Sequence, residues 1–251
     1  MTFLMIMNAK TLKQKYIDFF KSKSHVHIPS ASLIPQNDAT VLFTTAGMQP
    51  LVPYLLGQPH PLGRRIVDVQ KCLRTVDFDN IGDDTHHTFF EMLGNWSLGD
   101  YFKEQSIKWG FEFLTQELKL PLTHLAFTIY QGDDLIPKDE EARDIWKSLG
   151  VSDKRIAACG QDNFWAAGET GPCGPSSEIF YWSGDDTPPD VFDPQDEAWV
   201  EIWNHVFMAY NRTPKGTLEE LEQKNIDTGM GVERTVATLA GKKSAYETDI
   251  F

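Results

Sequence analysis

The chain has few of the residues that build disulfide frameworks or closed metal sites. Its 251 residues include three cysteines, Cys72, Cys159 and Cys173, which are too scattered for either kind of site. We therefore expect no zinc. The apolar opening, residues 1–7, is too short for a signal sequence, and no later run approaches the length of a membrane span. We expect a cytoplasmic protein without a membrane partner.

Positive charge is also scarce. The chain has 23 lysines and arginines against 36 aspartates and glutamates, which gives a formal net charge of −13. An extended surface for nucleic acid needs an excess of basic side chains to neutralise phosphates. The charge argues against such a surface, so we expect any contact with RNA to be local.

The spacing of apolar residues predicts helices alternating with hairpins. The predicted strands are residues 65–73, 86–93, 125–130 and 199–208, and the predicted helices are residues 12–22, a helix capped by Asp100, and residues 138–149. Residues 160–177 resemble an irregular loop, and residues 183–196 an exposed excursion. Nothing resembles a linker between domains. The pattern predicts one α+β domain, residues 1–251, with a mainly antiparallel sheet flanked by helices.

A ligand site is indicated at residues 226–234, where an apolar stretch meets an amphipathic helix. Gly229 and Gly231 let a ligand approach the backbone, and the helix N-terminus offers free N–H groups. Asp227 can hold an ammonium group, and Arg234 can fold back over a phosphate. The flanking sequence fits neither a Rossmann fingerprint nor a P-loop. A tight turn with a solvated arginine remains an alternative.

Arg74 is the second candidate, because it follows a predicted strand beside an acidic loop at residues 77–84. A rigid sheet would fix its guanidinium for a phosphate or a carboxylate. In the returning strand, alternation places His87 and Phe89 on one face and Phe90 and Met92 on the other. A phenylalanine on the free face could stack on a purine, although core packing is an equal alternative.

The third candidate is the run Glu201 to Val206. With a period of two residues, Ile202, Asn204 and Val206 share one face, which is an unusual place for an asparagine without a partner. Asn204 beside Val206 would form a small pocket with one polar anchor. A solvent-facing asparagine on an edge strand is the alternative. Together the three candidates suit a small amino acid beside a nucleotide.

Six motifs, in this order along the chain, resemble those of the alanyl-tRNA synthetases. They are LFTTAGM at 42–48, THHTFFEMLGNWSLGDYFK at 85–103, DNFW at 162–165, TGPCGPSSEI at 170–179, EIWN at 201–204 and DTGMGVER at 227–234. The resemblance covers nearly the whole chain and implies the class II synthetase catalytic fold. It also implies a ligase reaction, in which alanine and ATP form alanyl-adenylate and the alanyl group passes to tRNA(Ala).

The resemblance also implies a role for each matched residue. Arg74 and Arg234 are the expected catalytic residues: Arg74 meets the α-phosphate and the alanine carboxylate, and Arg234 meets the γ-phosphate or adenine. The residues expected around ATP are Arg74, His87, Met92, Trp165, Ile202, Trp203, Asn204, Gly231 and Arg234. Those expected around alanine are Asn204, Val206, Asp227 and Gly229, with Asp227 taking the ammonium group. Mg²⁺ is expected with ATP, and Glu201 is a candidate ligand.

The chain departs from the family in several respects, including Thr45 where Asn is usual and Ser176 where a second Cys is usual, and two departures bear on function. The loop after Arg74, residues 75–80, is shorter and less basic than usual, so we expect contact with the tRNA acceptor end to be local and weak. Family members also continue beyond the equivalent of Phe251 into tRNA-recognition, editing and C-terminal domains, so we expect an isolated catalytic domain or a natural minimal enzyme. Two alternatives stay open: a synthetase-like binding module without ligase activity, and a ligase for another amino acid.

Overall fold

The computed structural model describes residues 7–36, 41–75 and 87–251. Within these ranges the helices are α1 (Ala9–Ser22), α2 (Val52–Leu55), α3 (Lys103–Glu112), α4 (Glu140–Ser148) and α5 (Val232–Leu239). The strands are β1 (Val26–His27), β2 (Arg65–Leu73), β3 (Phe89–Leu98), β4 (Leu125–Tyr130), β5 (Ile156–Cys159), β6 (Phe164–Ala166), β7 (Gly171–Trp182), β8 (Trp199–Arg212) and β9 (Leu218–Gly231). The predicted acidic loop at residues 77–84, residues 76–80 of the shortened loop, and His86 lie outside the described ranges.

All nine of these strands belong to one sheet. Its order is β1-β2-β3-β9-β8-β7-β4-β5, and β6 pairs with β7 off this path. The β1–β2 and β4–β5 pairings are parallel, and the other pairings are antiparallel. The prediction of a mainly antiparallel sheet flanked by helices is therefore confirmed. The central β3–β9 pairing joins an early hairpin to a late one, and it brings residues near 92 beside residues near 231.

The two faces of the sheet are covered differently. The larger core lies against α1 and α3, where Tyr16, Phe113 and Trp203 make edge and tilted ring contacts. The opposite face carries a smaller cluster in which Trp96 packs with apolar residues of the 46–55 segment, including α2. Among the described residues, this segment covers only part of its face. The uncovered part, near the centre of the sheet, is where the cavity lies.

Two local predictions were wrong. Asp100 does not cap α3, because its carboxylate pairs with Arg65 Nε and the N-cap position is Phe102. Residues 160–177 are not irregular, since they contain β6 and half of β7. Close packing of β7 against β8 explains the glycine at position 174 of this stretch. A Cβ there would lie 2.1 Å from Phe207 O, so only glycine allows β8 to approach.

The excursion at residues 183–196 is only partly exposed. Phe192 is buried, and its ring lies 5.3 Å from that of Trp199. The helix predicted at residues 138–149 forms as α4, with Asp139 Oδ1 accepting the Ala142 N–H as an N-cap and Gly150 in the left-handed region at its end. The strand predicted at residues 199–208 continues to Arg212.

Candidate active site

A cavity of about 370 Å³ opens on the face of the sheet that carries Trp96. It is lined by Ala46, Arg74, His87, Phe90, Met92, Asp162, Trp165, Glu178, Glu201, Asn204, Val206, Asp227, Gly229, Gly231, Glu233 and Arg234. These residues come from at least six separate stretches of the chain. The long-range strand pairing is what brings them together.

The floor of the cavity is a grid of paired positions on neighbouring strands. Asp227 lies opposite Trp96 on one side and Val206 on the other. The next row along the strands begins with Gly229, which pairs with Asn204. Because side chains two residues apart point to the same face, both rows project into the same cavity. Gly229 adds no side chain to this floor, and the Met92 thioether lies above its backbone.

Asp227 is the buried acid of this floor. Trp96 Nε1 donates a hydrogen bond of 2.6 Å to Asp227 Oδ1. Among the described residues, no group donates to the other carboxylate oxygen, Oδ2. Burial raises the pKa of Asp227 to about 7, and the Trp96 hydrogen bond opposes that rise. A bound ammonium group would favour the charged carboxylate.

A β-bulge in β8 decides which residues face the cavity. Ile179 pairs with Trp203 and Phe180 with Glu201, so Ile202 is the extra residue on β8. The bulge places Glu201 and Asn204 on the same side, while Ile202 packs in the core. The prediction that Ile202 shares a face with Asn204 and Val206 was therefore wrong. Beyond an inserted residue, the side chains of a strand point to the opposite faces from those that a strict period of two predicts.

Three carboxylates collect beside Asn204. Asn204 Nδ2 donates to Glu178 Oε1 at 3.3 Å, and Thr128 Oγ1 donates to Glu178 Oε2 at 3.4 Å. Burial, together with the nearby charges of Glu201 and Asp162, raises the pKa of Glu178 well above its ordinary value. A cation or a positively charged ligand would relieve this repulsion.

Two arginines line the same cavity. Arg74 follows β2, donates from Nε to Thr45 O at 3.1 Å, and lies 5.1 Å above the ring of Phe90. Arg234 lies in the first turn of α5, and its Nη1 is 3.1 Å from Glu201 Oε2. Each guanidinium is thus attached to a rigid element while it faces the cavity.

Glu233 fastens the helix to the sheet at this point. Both of its carboxylate oxygens lie 3.0 Å from the Glu91 backbone N–H. Burial raises the pKa of Glu233 to about 7. The contact fixes the start of α5, and with it Arg234, against β3.

Most residues predicted from the sequence meet in this cavity, and two do not. Lining it are Arg74, His87, Met92, Trp165, Glu201, Asn204, Val206, Asp227, Gly229, Gly231 and Arg234. The side chains of Ile202 and Trp203 are buried in the larger core instead. His87 lines the cavity together with Phe90 and Met92, against the predicted alternation, because β3 begins only at Phe89.

Sequence reasoning missed five lining residues as site residues. They are Ala46, Phe90, Asp162, Glu178 and Glu233, although Phe90 had been considered for stacking. A signal for Glu178 was available, because it is a lone acid next to the apolar run Ile179 to Trp182. A buried strand rarely carries an acid without a partner or a function.

The described residues hold neither a metal-binding cluster nor a membrane-spanning helix. In residues 7–36, 41–75 and 87–251, no cluster of three or more His, Cys, Asp or Glu side chains could hold a metal ion by itself. Over the same ranges, no helix is long and apolar enough to cross a membrane.

Known proteins resemble this chain over nearly its whole length. The model of the family tRNA synthetases class II (A) matches residues 11–251. Alanine–tRNA ligase of Treponema denticola is 58% identical over 246 residues, which is 96% of this chain and 41% of that protein. The corresponding ligase of Borrelia hermsii is 54% identical over 98% of this chain and 42% of its own length. The chain thus spans less than half the length of these relatives.

Solved structures share the fold at low sequence identity. The apo histidyl-tRNA synthetase of S. aureus has a TM-score of 0.54 at 12% identity, over 97% of this chain and 70% of that one. The pyrrolysyl-tRNA synthetase PylSc of Desulfitobacterium hafniense has a TM-score of 0.50 at 12% identity, over 94% of this chain and 70% of that one. A mixed sheet with flanking helices is common to all three.

Proposed function

The chain belongs to the class II tRNA synthetases (A), and from that membership we propose that its cavity activates L-alanine with ATP and transfers the alanyl group to the 3′ end of tRNA(Ala). The observation that carries the proposal is the buried Asp227 carboxylate on the floor of a cavity that two arginines also line. An acid for an ammonium group and guanidinium groups for phosphates suit an amino acid beside ATP. Residues 1–251 would act as one catalytic domain.

The proposed alanine site is the corner formed by Asp227, Gly229, Asn204 and Val206. Asp227 would take the ammonium group, and Arg74 would take the carboxylate. The methyl group would lie toward Val206, which is buried and apolar. A Cβ on Gly229 would lie 3.0 Å from Met92 Sδ, so a side chain at this position would displace the Met92 thioether that lines the cavity.

The proposed ATP site occupies the rest of the cavity. His87, Met92, Trp165 and Gly231 would surround the nucleotide, and Phe90 offers an aromatic face that already carries the Arg74 guanidinium. Arg234 would meet the γ-phosphate or the adenine from the start of α5. The lining offers apolar surface for the base and the guanidinium groups of Arg74 and Arg234 for the phosphates.

The proposed reaction needs no nucleophile from the protein. A carboxylate oxygen of alanine attacks the α-phosphorus, the bond to the bridging oxygen breaks, and pyrophosphate leaves. The terminal adenosine hydroxyl of the tRNA then attacks the carbonyl carbon of the adenylate, and AMP leaves. Arg74 would stabilise the charge on the α-phosphate, while the rest of the floor holds alanine in line.

Class II synthetases in general use ATP with a divalent metal ion. The donor set of this cavity fits Mg²⁺, because Glu178 and Glu201 supply carboxylate oxygens and the phosphates of ATP would supply the others. These two glutamates would hold the ion, and the ion would neutralise phosphate charge. The net charge of −13 fits a local contact with the acceptor end of the tRNA.

Alanine-dependent exchange of pyrophosphate into ATP tests the first half of the reaction. We expect exchange with alanine, and at least about a hundredfold loss of it in Asp227→Asn, because an amide cannot pair with the ammonium group. Asp68→Asn is the matched control, since Asp68 is also a buried acid on the sheet but does not line the cavity. It should keep the parent rate.

The outcomes separate the proposed ligase from the two alternatives. ATP and alanine binding without exchange would indicate a binding module. Exchange with another amino acid in place of alanine would indicate a ligase of different specificity. Transfer of radiolabelled alanine to tRNA(Ala) tests the second half separately, and its absence alongside alanine exchange would restrict the proposal to adenylate formation.

A further inference from the structure

Trp96 is directly opposite Asp227 in the β3–β9 ladder. Its indole is fully buried, and its Nε1 donates the 2.6 Å hydrogen bond to Asp227 Oδ1. The catalytic steps proposed above do not use Trp96, which does not line the cavity. Its contact with the acid is nevertheless the one hydrogen bond that the Asp227 carboxylate makes among the described residues.

Two glycines determine where the indole lies. A Cβ on Gly94 would lie 2.3 Å from Trp96 Cη2, and a Cβ on Gly47 would lie 2.8 Å from Trp96 Cζ2. Neither glycine has a positive φ, so backbone conformation does not require glycine at either position. The space that the indole ring occupies is what requires glycine at both positions. Gly94 is on the same strand and Gly47 is in the separate 41–56 segment, so two elements hold one ring.

We propose that Trp96 is a positioning residue for substrate recognition: its clamped indole N–H holds one oxygen of Asp227 so that the other faces the amino group of the substrate. The inference rests on the proposed function for the identity of that substrate. Without the N–H donor, the carboxylate could rotate about its side-chain bonds. The alanine ammonium group would then lose its fixed partner, whereas ATP would not.

Charged and titratable groups lie around Asp227, while its pKa is set by burial and by the Trp96 hydrogen bond. The cavity itself carries Arg74, His87, Asp162, Glu178, Glu201, Glu233 and Arg234. From the opposite face of the sheet, the Tyr16 hydroxyl of α1 interacts with the Asp227 charge. Burial is the largest influence and raises the pKa of Asp227, while the Trp96 hydrogen bond lowers it. Removing the N–H should therefore raise this pKa further above 7.

Trp96→Phe tests the proposal, with Trp146→Phe as the matched control. Trp146 is also fully buried, and its Nε1 donates to Ser177 Oγ at 2.9 Å in the other core. Both changes remove the same atoms and one buried hydrogen bond. We expect Trp96→Phe to raise the KM for alanine at least about tenfold while the KM for ATP stays within about twofold. The control should leave both KM values within about twofold.

A second readout does not depend on activity. The carboxyl carbon of Asp227, observed by ¹³C NMR in the ligand-free protein, should titrate at higher pH in Trp96→Phe than in the parent and in Trp146→Phe. An unchanged titration together with an unchanged KM for alanine would overturn the proposal. A parent protein without alanine-dependent exchange would instead overturn the proposed function, and the titration would still decide the role of Trp96.

Gly47→Ala replaces the first variant if Trp96→Phe does not fold. This change keeps the indole but forces it to shift, because the added Cβ would lie 2.8 Å from Trp96 Cζ2. We expect the same selective rise in the KM for alanine. A folded Gly47→Ala protein with parental kinetics for alanine would count against the proposed role of Gly47 and Gly94 in holding the Trp96 indole.

Discussion

Arg234 and Glu201 form an ion pair at the rim of the cavity, with 3.1 Å between Nη1 and Oε2. They are 33 positions apart in the chain, and they meet because the bulge at Ile202 turns Glu201 toward the start of α5. A nucleotide phosphate and Glu201 would be alternative partners for the same guanidinium. The free protein therefore holds Arg234 in place before ATP arrives.

The Arg234→Lys variant should bind ATP less tightly. Lysine keeps the positive charge but loses the planar fork that contacts two phosphate oxygens at once. We expect the KM for ATP to rise about tenfold or more, with a smaller change for alanine. Arg143→Lys, in the partly exposed pair with Asp153, is the control. Equal effects on ATP and alanine would argue against a role of Arg234 at the phosphates.

Alanine activation should weaken as the pH falls below about 7. The ligand-free protein holds the pKa of Asp227 at about 7 through burial, and only the ionised acid attracts an ammonium group. Acidification protonates Asp227, so kcat/KM for alanine should fall about tenfold per pH unit below that value. The pH profile of exchange measures this limb. The Asp227→Asn protein should not show this fall in kcat/KM at low pH. The same fall in the variant would assign the titration to another group.

Serine and glycine should also be activated at a measurable rate. An apolar pocket bounded by Val206 and Met92 separates ligands that differ by one methylene by about 1–3 kcal/mol, and it rejects an added hydroxyl group poorly. Pyrophosphate exchange with serine in place of alanine measures this. Exchange with serine that equals the background without amino acid would show a stricter pocket than the lining suggests.

The free energy of unfolding should depend on pH through Asp68. Burial raises the pKa of Asp68 to about 7, above the value in the unfolded chain. Its contribution to stability is therefore full at low pH and is lost as the pH rises through 7. Asp68→Asn removes this loss, so the free energy of unfolding of the variant, relative to that of the parent, should rise by about 3 kcal/mol between pH 5 and pH 8.

Urea unfolding at the two pH values measures that change. Asp185→Asn is the control, because Asp185 is exposed and the substitution removes the same formal charge. The two histidines His25 and His205, whose pKa values burial lowers to about 4 and about 3, are present in all three proteins and cancel in the comparison. A pH-independent difference would mean that Asp68 is solvated in the folded state.

Local chemistry in the sequence indicated three candidate stretches, at Arg74, residues 201–206 and residues 226–234, and the resemblance to the synthetases added the remaining site residues. The period of apolar residues predicted β2 and β4 with the bounds that they have, and glycine next to Asp227 indicated a ligand beside a helix start. These features depend on residues within one turn or one strand of each other. These features can therefore be predicted from the order of residues alone, without knowledge of the fold.

Only the tertiary structure decided which faces meet and which acids share the cavity. The pairing of β3 with β9, the bulge at Ile202 and the burial of Glu178 each depend on contacts between distant segments. One inserted residue reverses the alternation of a strand, so periodicity assigned Ile202 to the wrong face. The opposition of Trp96 and Asp227 arises in the same way: both residues are visible in the sequence, but the register that joins them is set by the whole sheet.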